Sequence, residues 1–514
     1  MRLTHALGLI LPALSGTAAA AAGASSCDNA AGNNLTVSTE QGEIRGIIDP
    51  STPAVRRFLG IPYAKPPLGD LRFSPPQKAG PFSGGVFQAN NLGPSCEQFL
   101  MKTPPSIYTQ VVNEFNLQGL NETSPNVSED CLTLSVWAPA APTECPSGGL
   151  PVIVFIYGGA FAMGGQDVPY QIPARWIERA QDLIVVTFNY RVNIFGFPNA
   201  AGLVSDAQNL GLLDQRLAVE WVHDNIASFG GDPDRVTLWG QSAGAISAGY
   251  YQYAYPNDAL IDAVIMDSGA ETLKAAAGST ADTNHSAFSY VAGHVGCGGL
   301  GAAEELACMR SVSAAAIEDA IEAREEATGL PFFFTPVVDN VTVFADYANR
   351  PVANVPTIIG TNVNDGVAFV PIGINGVNET LAQVATLAVF FCPGTQAAED
   401  RVAAGVPVYR FLYAGIFPNI SPAPFLGAYH QAELPLLFGT AGEFRGPSTA
   451  LENATSVAMQ DAWYALASAG VEGMAEVGWP RYTGPGGLVR EFASPDGTVQ
   501  RDVSLLPTEA LCTF

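Results

Sequence analysis

The sequence predicts an α/β fold with a mostly parallel sheet flanked by helices. Three observations lead there. Short apolar runs rich in β-branched residues recur along the chain, bounded by Gly, Pro or Asn. They are continuous rather than alternating, as in strands covered on both faces. Stretches with helical spacing lie between them, and strand alternating with helix makes a parallel sheet.

The elements can be taken in order. "PVIVFIY" (151–157) and "LIVVTFNY" (183–190) read as strands. "LLDQRLAVEWVHDNI" (212–226) reads as a helix, because Leu213, Leu217, Val219, Trp221 and Ile226 roughly follow one stripe with charges between. "RVTLWG" (235–240) is a strand, and "AGAISAGYYQYA" can follow it as a helix, although its glycines weaken the pattern. "AVIMDSG" (263–269), "VPTIIGTN" (355–362) and "VPVYRFLY" (406–413) are further strands. Hydrophobic residues make up 48% of the chain, enough for a large core. No charge run, Ser/Gly linker or internal repeat divides it, so one domain is expected over 23–514.

Charge narrows the partners. The chain has 23 basic and 48 acidic residues, a formal charge of −25, and only four lysines. Nucleic acid and anionic membranes both require a basic surface, so neither is expected as a partner. At the N-terminus, Arg2 precedes an apolar stretch from Ala6 to Leu14, followed by small residues such as Ala18-Ala19-Ala20. That pattern predicts a secretory signal peptide over 1–22, too short to span a bilayer. No other run of about 18 apolar residues stands out, so no integral membrane segment is expected.

Two features agree with secretion. The eight cysteines are Cys27, Cys96, Cys131, Cys145, Cys297, Cys308, Cys392 and Cys512, and none forms a CxxC pair. Disulfides are their natural use in an oxidising compartment, and spacing alone leaves the pairing open. N-glycosylation sequons stand at Asn34, Asn121, Asn126, Asn284, Asn340, Asn378, Asn419 and Asn453. A secreted, extracellular glycoprotein is the expectation.

The chemistry centres on "VTLWGQSAG" (236–244), where Gly240-Gln241-Ser242-Ala243-Gly244 fits G-x-S-x-G. This motif needs a strand before it and a helix after it. A strand turning at once into a helix strains the serine backbone and crowds its neighbours, hence the glycines. A serine hydroxyl is a weak nucleophile and needs a base, usually histidine. Of the five histidines, His5 lies in the signal, His223 on the charged side of the predicted helix, His285 in a sequon and His294 in a Gly-rich stretch. His430, in "LGAYHQAELPLLFG", alone comes late enough to follow both the serine and an acid at a strand end. The acid is read as Asp365, in "NVNDG" after a predicted strand, with Asp339 in "TPVVDN" as the alternative. Glu379 sits beside a sequon and is expected to be solvated. An oxyanion hole needs backbone N–H donors, and "YGGAFAMGG" supplies Gly159 and Ala160 to join Ala243. The same stretch fails as a phosphate loop, lacking both a Lys-Ser/Thr ending and G-x-G-x-x-G. No metal or cofactor is called for.

The motifs resemble the type-B carboxylesterase/cholinesterase family of α/β-hydrolases. "FLGIPYAKPPLGDLRFSPP" (58–76) looks like the family's N-terminal signature, and "EDCLTLSVW" (129–137) like its second motif around a disulfide cysteine. "NYRVNIFGF", "NLGLLDQRLAVEWVHDNIASFGGDPDRVTLWGQSAG" and "GAYHQAELPLLFG" carry the likeness almost to the end of the chain. Within the family, "FPNISP" and the nearby "LGAYHQAELP" are similar to secreted fungal esterases and lipases. The resemblance implies the triad Ser242, Asp365 and His430, and the oxyanion donors Gly159, Ala160 and Ala243. It implies the pairs Cys96–Cys131, Cys297–Cys308 and Cys392–Cys512, leaving Cys27 and Cys145 for each other. The implied activity is ester hydrolysis through an acyl-enzyme, on a small-molecule or lipid ester.

Three departures bear on substrate. The family usually has Glu before the serine, where this chain has Gln241. Its acid is usually Glu, where this chain has the shorter Asp365. Cholinesterases place a choline-binding Trp in the first disulfide loop, and 96–131 contains none. Choline esters are therefore not expected. Phe99, Leu100, Met101, Ile107, Val111, Val112, Phe115 and Leu117 make that loop apolar, either as a lid over an acyl pocket or as a loop packed on the core. A carboxylesterase for short or medium acyl chains is the lead reading and a long-chain lipase the second. A non-catalytic binding module, or a peptidase on the same fold, is the rival of another class.

Overall fold

The computed structural model describes residues 34–98, 126–142, 148–273, 282–329, 332, 334–373 and 375–512. The segment 1–22, Cys27, Cys145, Asn121 and most of the 96–131 loop lie outside the described residues.

All six strands read from the sequence are neighbours in one eleven-stranded sheet. Its strands in chain order are β1 (Ile47–Ile48), β2 (Val55–Pro62), β3 (Thr133–Pro139), β4 (Leu150–Ile156), β5 (Ile184–Phe188), β6 (Gly231–Gln241), β7 (Ala263–Asp267), β8 (Thr357–Asn362), β9 (Val408–Tyr413), β10 (Leu488–Phe492) and β11 (Gln500–Ser504). Across the sheet the order is β11-β10-β9-β8-β7-β6-β4-β5-β3-β2-β1. The seven strands from β10 to β5 are mutually parallel. Every residue of β4, β5, β7 and β8 is buried, which is why their sequences read as unbroken apolar runs.

Antiparallel strands finish both margins: β3, β2 and β1 on one side, β11 on the other. Their sequences do not look like core strands. β2 carries Arg56 in the buried interior, where its guanidinium donates to the carbonyls of Pro139 and Phe229, each at 2.9 Å. β11 is a polar edge, in which Val503 alone of the five residues is half-buried and the rest are exposed.

Two helices do most to position the site: α1 (Leu210–Asn225) and α2 (Ala243–Ala254). α1 is tied to the sheet by a buried ion pair. Arg191, three residues beyond β5, meets Asp214 Oδ1 at 2.7 Å. Removing one partner of such a pair costs about 3–5 kcal/mol. α3 (Leu434–Phe438) and α4 (Ala450–Glu476, kinked at Gly470) pack on the sheet through aromatic rings. Trp239 of β6 lies 4.5 Å from Phe155 and 5.0 Å from Phe438, centroid to centroid.

Cys96–Cys131, Cys297–Cys308 and Cys392–Cys512 are disulfide-bonded. Of the sequon asparagines, Asn34, Asn126, Asn284, Asn340, Asn378 and Asn453 are exposed. Asn419 corrects the sequence reading. It is buried, and its amide donates to Ala441 O and Glu452 Oε1 at 2.8 and 2.9 Å, which leaves no room for a glycan. One helical run among the described residues, Glu379–Ala403, is long and apolar enough to cross a membrane by composition. Of its most apolar 18-residue window 44% is buried inside the protein, and the run carries both Phe390 and the disulfide-bonded Cys392.

Candidate active site

The chain leaves β4 for β5 on one side and returns as β6 on the other, so the sheet has a switch point between β4 and β6. Ligands in open α/β sheets bind beyond the strand C-termini at such a point. The loops following β4 and β6 meet there.

β6 ends at Gln241 and α2 begins at Ala243, so Ser242 alone makes the turn. Its backbone sits at φ +55° and ψ −121°, a left-handed conformation that costs a non-glycine residue about 1–3 kcal/mol. The neighbouring contacts explain the glycines. A Cβ on Gly240 would lie 2.1 Å from Gly244 O, and one on Gly244 would lie 2.0 Å from Ile156 O. The Ser242 N–H donates to Asp267 O at 2.8 Å, tying the turn to the end of β7. Ser242 itself is partly exposed, and its side chain makes no hydrogen bond among the described residues.

His430 and Asp365 come from two loops zipped together. Asn364 N–H donates to Ala428 O, and Asn364 Oδ1 accepts from Ala428 N–H, both at 3.0 Å. Gly427 makes this approach feasible, since a Cβ there would lie 2.2 Å from Asn364 Oδ1. The result is a buried contact of 2.9 Å between His430 Nδ1 and Asp365 Oδ1. Asp365 Oδ2 accepts from Ser268 Oγ at 2.9 Å and from the Asn362 N–H at 2.7 Å. The short aspartate thus reaches the imidazole because its other oxygen is gripped from two sides. Phe369 and Phe390 cover the imidazole, at 5.1 and 4.6 Å between centroids.

The loop after β4 approaches Ser242 from the opposite side. A Cβ on Gly158 would lie 2.8 Å from Ser242 Cβ. Gly159, Ala160 and Phe161 have successive positive φ angles of 112°, 56° and 62°. The Asn193 N–H donates to Phe161 O at 2.7 Å and fixes the loop. Among the described residues the N–H groups of Gly159 and Ala160 meet no acceptor. Ala243, first residue of α2, adds an N–H at the positive end of a helix.

Beneath the site lie two further acids. Glu433 is pushed up to about 8, first by burial and then by Asp365. Asp267 is held well above the usual carboxylate range by burial, with Glu433 adding to it. Among the described residues both keep one oxygen without a hydrogen-bond partner, Glu433 Oε1 and Asp267 Oδ1. Sequence reasoning missed these two, and it missed Ser268, Asn362, Phe369 and Phe390. Ser268 had a signal, "MDSG" straight after a predicted strand; the aromatic pair had none.

The other candidates are placed elsewhere. Asp339 spends both oxygens on its own turn and on Asn209. His223 is partly exposed beside Asp224, His285 Nδ1 bonds the Asn199 carbonyl, and His294 bonds Tyr290 O one turn back. Among the described residues no trio of His, Cys, Asp or Glu is grouped to hold a metal ion.

The chain is similar to known proteins. The profile described as the carboxylesterase family matches residues 33–380. A chlorogenic acid esterase of Aspergillus niger is 44% identical over 437 residues, 84% of this chain and 82% of that protein. A protein named secreted lipase 5 of Gibberella zeae is 41% identical over 477 residues, 87% of this chain and 88% of its own. An acetylcholinesterase of Bungarus fasciatus is 30% identical over 467 residues, 79% and 73% of the two chains.

Proposed function

The chain belongs to the carboxylesterase family and is a carboxylic ester hydrolase; from that premise we propose that it works through an acyl-enzyme on Ser242. One observation carries the reading: the buried His430–Asp365 pair and the strained Ser242 turn occupy one end of the sheet.

In this scheme Ser242 Oγ attacks the ester carbonyl while His430 Nε2 takes its proton. Asp365 keeps the proton on Nδ1 and stabilises the imidazolium. The carbonyl oxygen becomes an oxyanion, met by the N–H groups of Gly159, Ala160 and Ala243. His430 then gives its proton to the leaving alcohol. Water, deprotonated by the same Nε2, releases the acid and restores Ser242. The free enzyme has no Ser242–His430 hydrogen bond, and such bonds tighten when substrate binds.

The substrate read first is an ester of a short or medium acyl chain. The absence of Trp from 96–131 and the neutral Gln241 argue against choline esters. The Aspergillus relative's name makes chlorogenic acid a natural probe, and the Gibberella relative's name supports a long-chain lipase as the second reading. A lid at 96–131 belongs to that second reading and lies outside the described residues. Secretion fits the 1–22 pattern, the exposed sequons and the Gibberella relative's name.

The test is a rate profile on p-nitrophenyl esters from acetate to palmitate, plus chlorogenic acid, with Ser242→Ala as blank. The proposal expects a peak at short or medium chains and a blank lower by about 10³-fold or more. A long-chain peak that rises at an oil–water interface makes the enzyme a lipase. A blank as active as the wild type overturns Ser242.

A further inference from the structure

Gln241 occupies the place where the family resemblance expects a glutamate, and its amide faces the candidate base. Gln241 Nε2 lies 3.3 Å from His430 Nε2. The direction of the amide is fixed from behind, because Gln431 Nε2 donates to Gln241 Oε1 at 3.1 Å. The end turned to His430 is therefore the NH2, which donates only. We propose that Gln241 is a positioning residue that clamps His430 Nε2 in the free enzyme and selects the tautomer with its proton on Nδ1. This rests on the reading of Ser242, His430 and Asp365 as the triad.

The two ring nitrogens meet opposite partners. Nδ1 faces the Asp365 carboxylate at 2.9 Å, which needs a proton between them. Nε2 faces a donor, which needs a bare lone pair. Together they select one tautomer. Protonating Nε2 at rest would set N–H against N–H between two side chains that are both fully buried. A carboxylate at 241 would do the reverse and favour the imidazolium. The other titratable groups nearby are Asp365, in contact, and Glu433 and Asp267 behind it. Phe369 and Phe390 cover the ring and bring no charge. In turnover this contact must open so that the Nε2 lone pair can take the Ser242 proton, so the clamp belongs to the resting enzyme.

The experiment compares wild type, Gln241→Glu and Gln241→Met, each first shown to melt cooperatively. Two readouts are taken: kcat/KM against pH on a p-nitrophenyl ester, and nitrogen NMR of histidine-labelled enzyme. The clamp expects the acid limb of Gln241→Glu to move up by about 1–3 pH units, the range for a new opposite charge at this distance. Gln241→Met should move it up by less. The neutral Nδ1–H tautomer should persist to lower pH in the wild type than in either variant. An acid limb that stays put in Gln241→Met, or moves down in Gln241→Glu, overturns the clamp; Gln241→Met decides alone if the glutamate variant does not fold. A wild type no more active than Ser242→Ala overturns the triad reading instead, so the two failures are distinguishable.

Discussion

Asp365 and Asp339 are both buried aspartates in turns of the second half of the chain, and they are used in opposite ways. Asp339 Oδ1 accepts the N–H groups of Val341, Thr342 and Val343, and its Oδ2 accepts from Thr342 Oγ1 and Asn209 Nδ2. Both oxygens are spent on building a loop. Asp365 has one oxygen gripped by Ser268 and the Asn362 N–H, while the other faces His430. Burial and a turn position are common to both. What sets apart Asp365, the proposed orienting acid, is a division of labour between its two oxygens, set by a loop from elsewhere in the chain.

Substitution sharpens the contrast, and the largest effect is expected at Asp365. Asp365→Asn keeps the shape but offers Nδ1 an amide in place of a carboxylate, favouring the wrong tautomer. It should lower kcat by about 10⁴-fold, the size seen for this change in a serine protease triad, with little loss of thermal stability. Steady-state kinetics and melting on the same preparation would check both halves. Asp339→Asn should do the opposite. It should lose about 1–3 kcal/mol of stability in urea unfolding, because buried donors lose their partner, and leave kcat within a few-fold. If Asp339→Asn removed activity and Asp365→Asn did not, the two roles would be exchanged.

A smaller effect is expected from the acids beneath the site. The Glu433 side chain is raised from 4.5 to about 8. Above pH 4.5 the unfolded chain releases this proton while the folded chain keeps it, so stability falls as pH rises until the folded group also ionises near 8. Glu433→Gln removes this penalty. Its melting temperature should match the wild type at pH 4 and exceed it by a few degrees at pH 8. An equal difference at both pH values would mean that Glu433 is not held neutral.

Much of this was legible in the sequence, for physical reasons that also explain the gaps. The parallel strands were readable because burial on both faces forces continuous apolar runs, as in "PVIVFIY". The serine turn was readable because its steric crowding demands glycine at 240 and 244. The antiparallel margins were not, because β2 buries an arginine on carbonyl acceptors and β11 is a polar edge. Asp365 could be favoured over Asp339 by position alone; the grip of Ser268 and Asn362 that separates them is tertiary. Asn419 fits the sequon pattern, yet the fold uses its amide internally.

The central claim is that Ser242 is the one nucleophile, activated by His430. Its most direct test is labelling with a serine-reactive organophosphate, followed by peptide mapping of the adduct. The account predicts one label per chain, on Ser242, formed with loss of activity and greatly slowed in His430→Ala. A label on another residue, or none on an active enzyme, would contradict it.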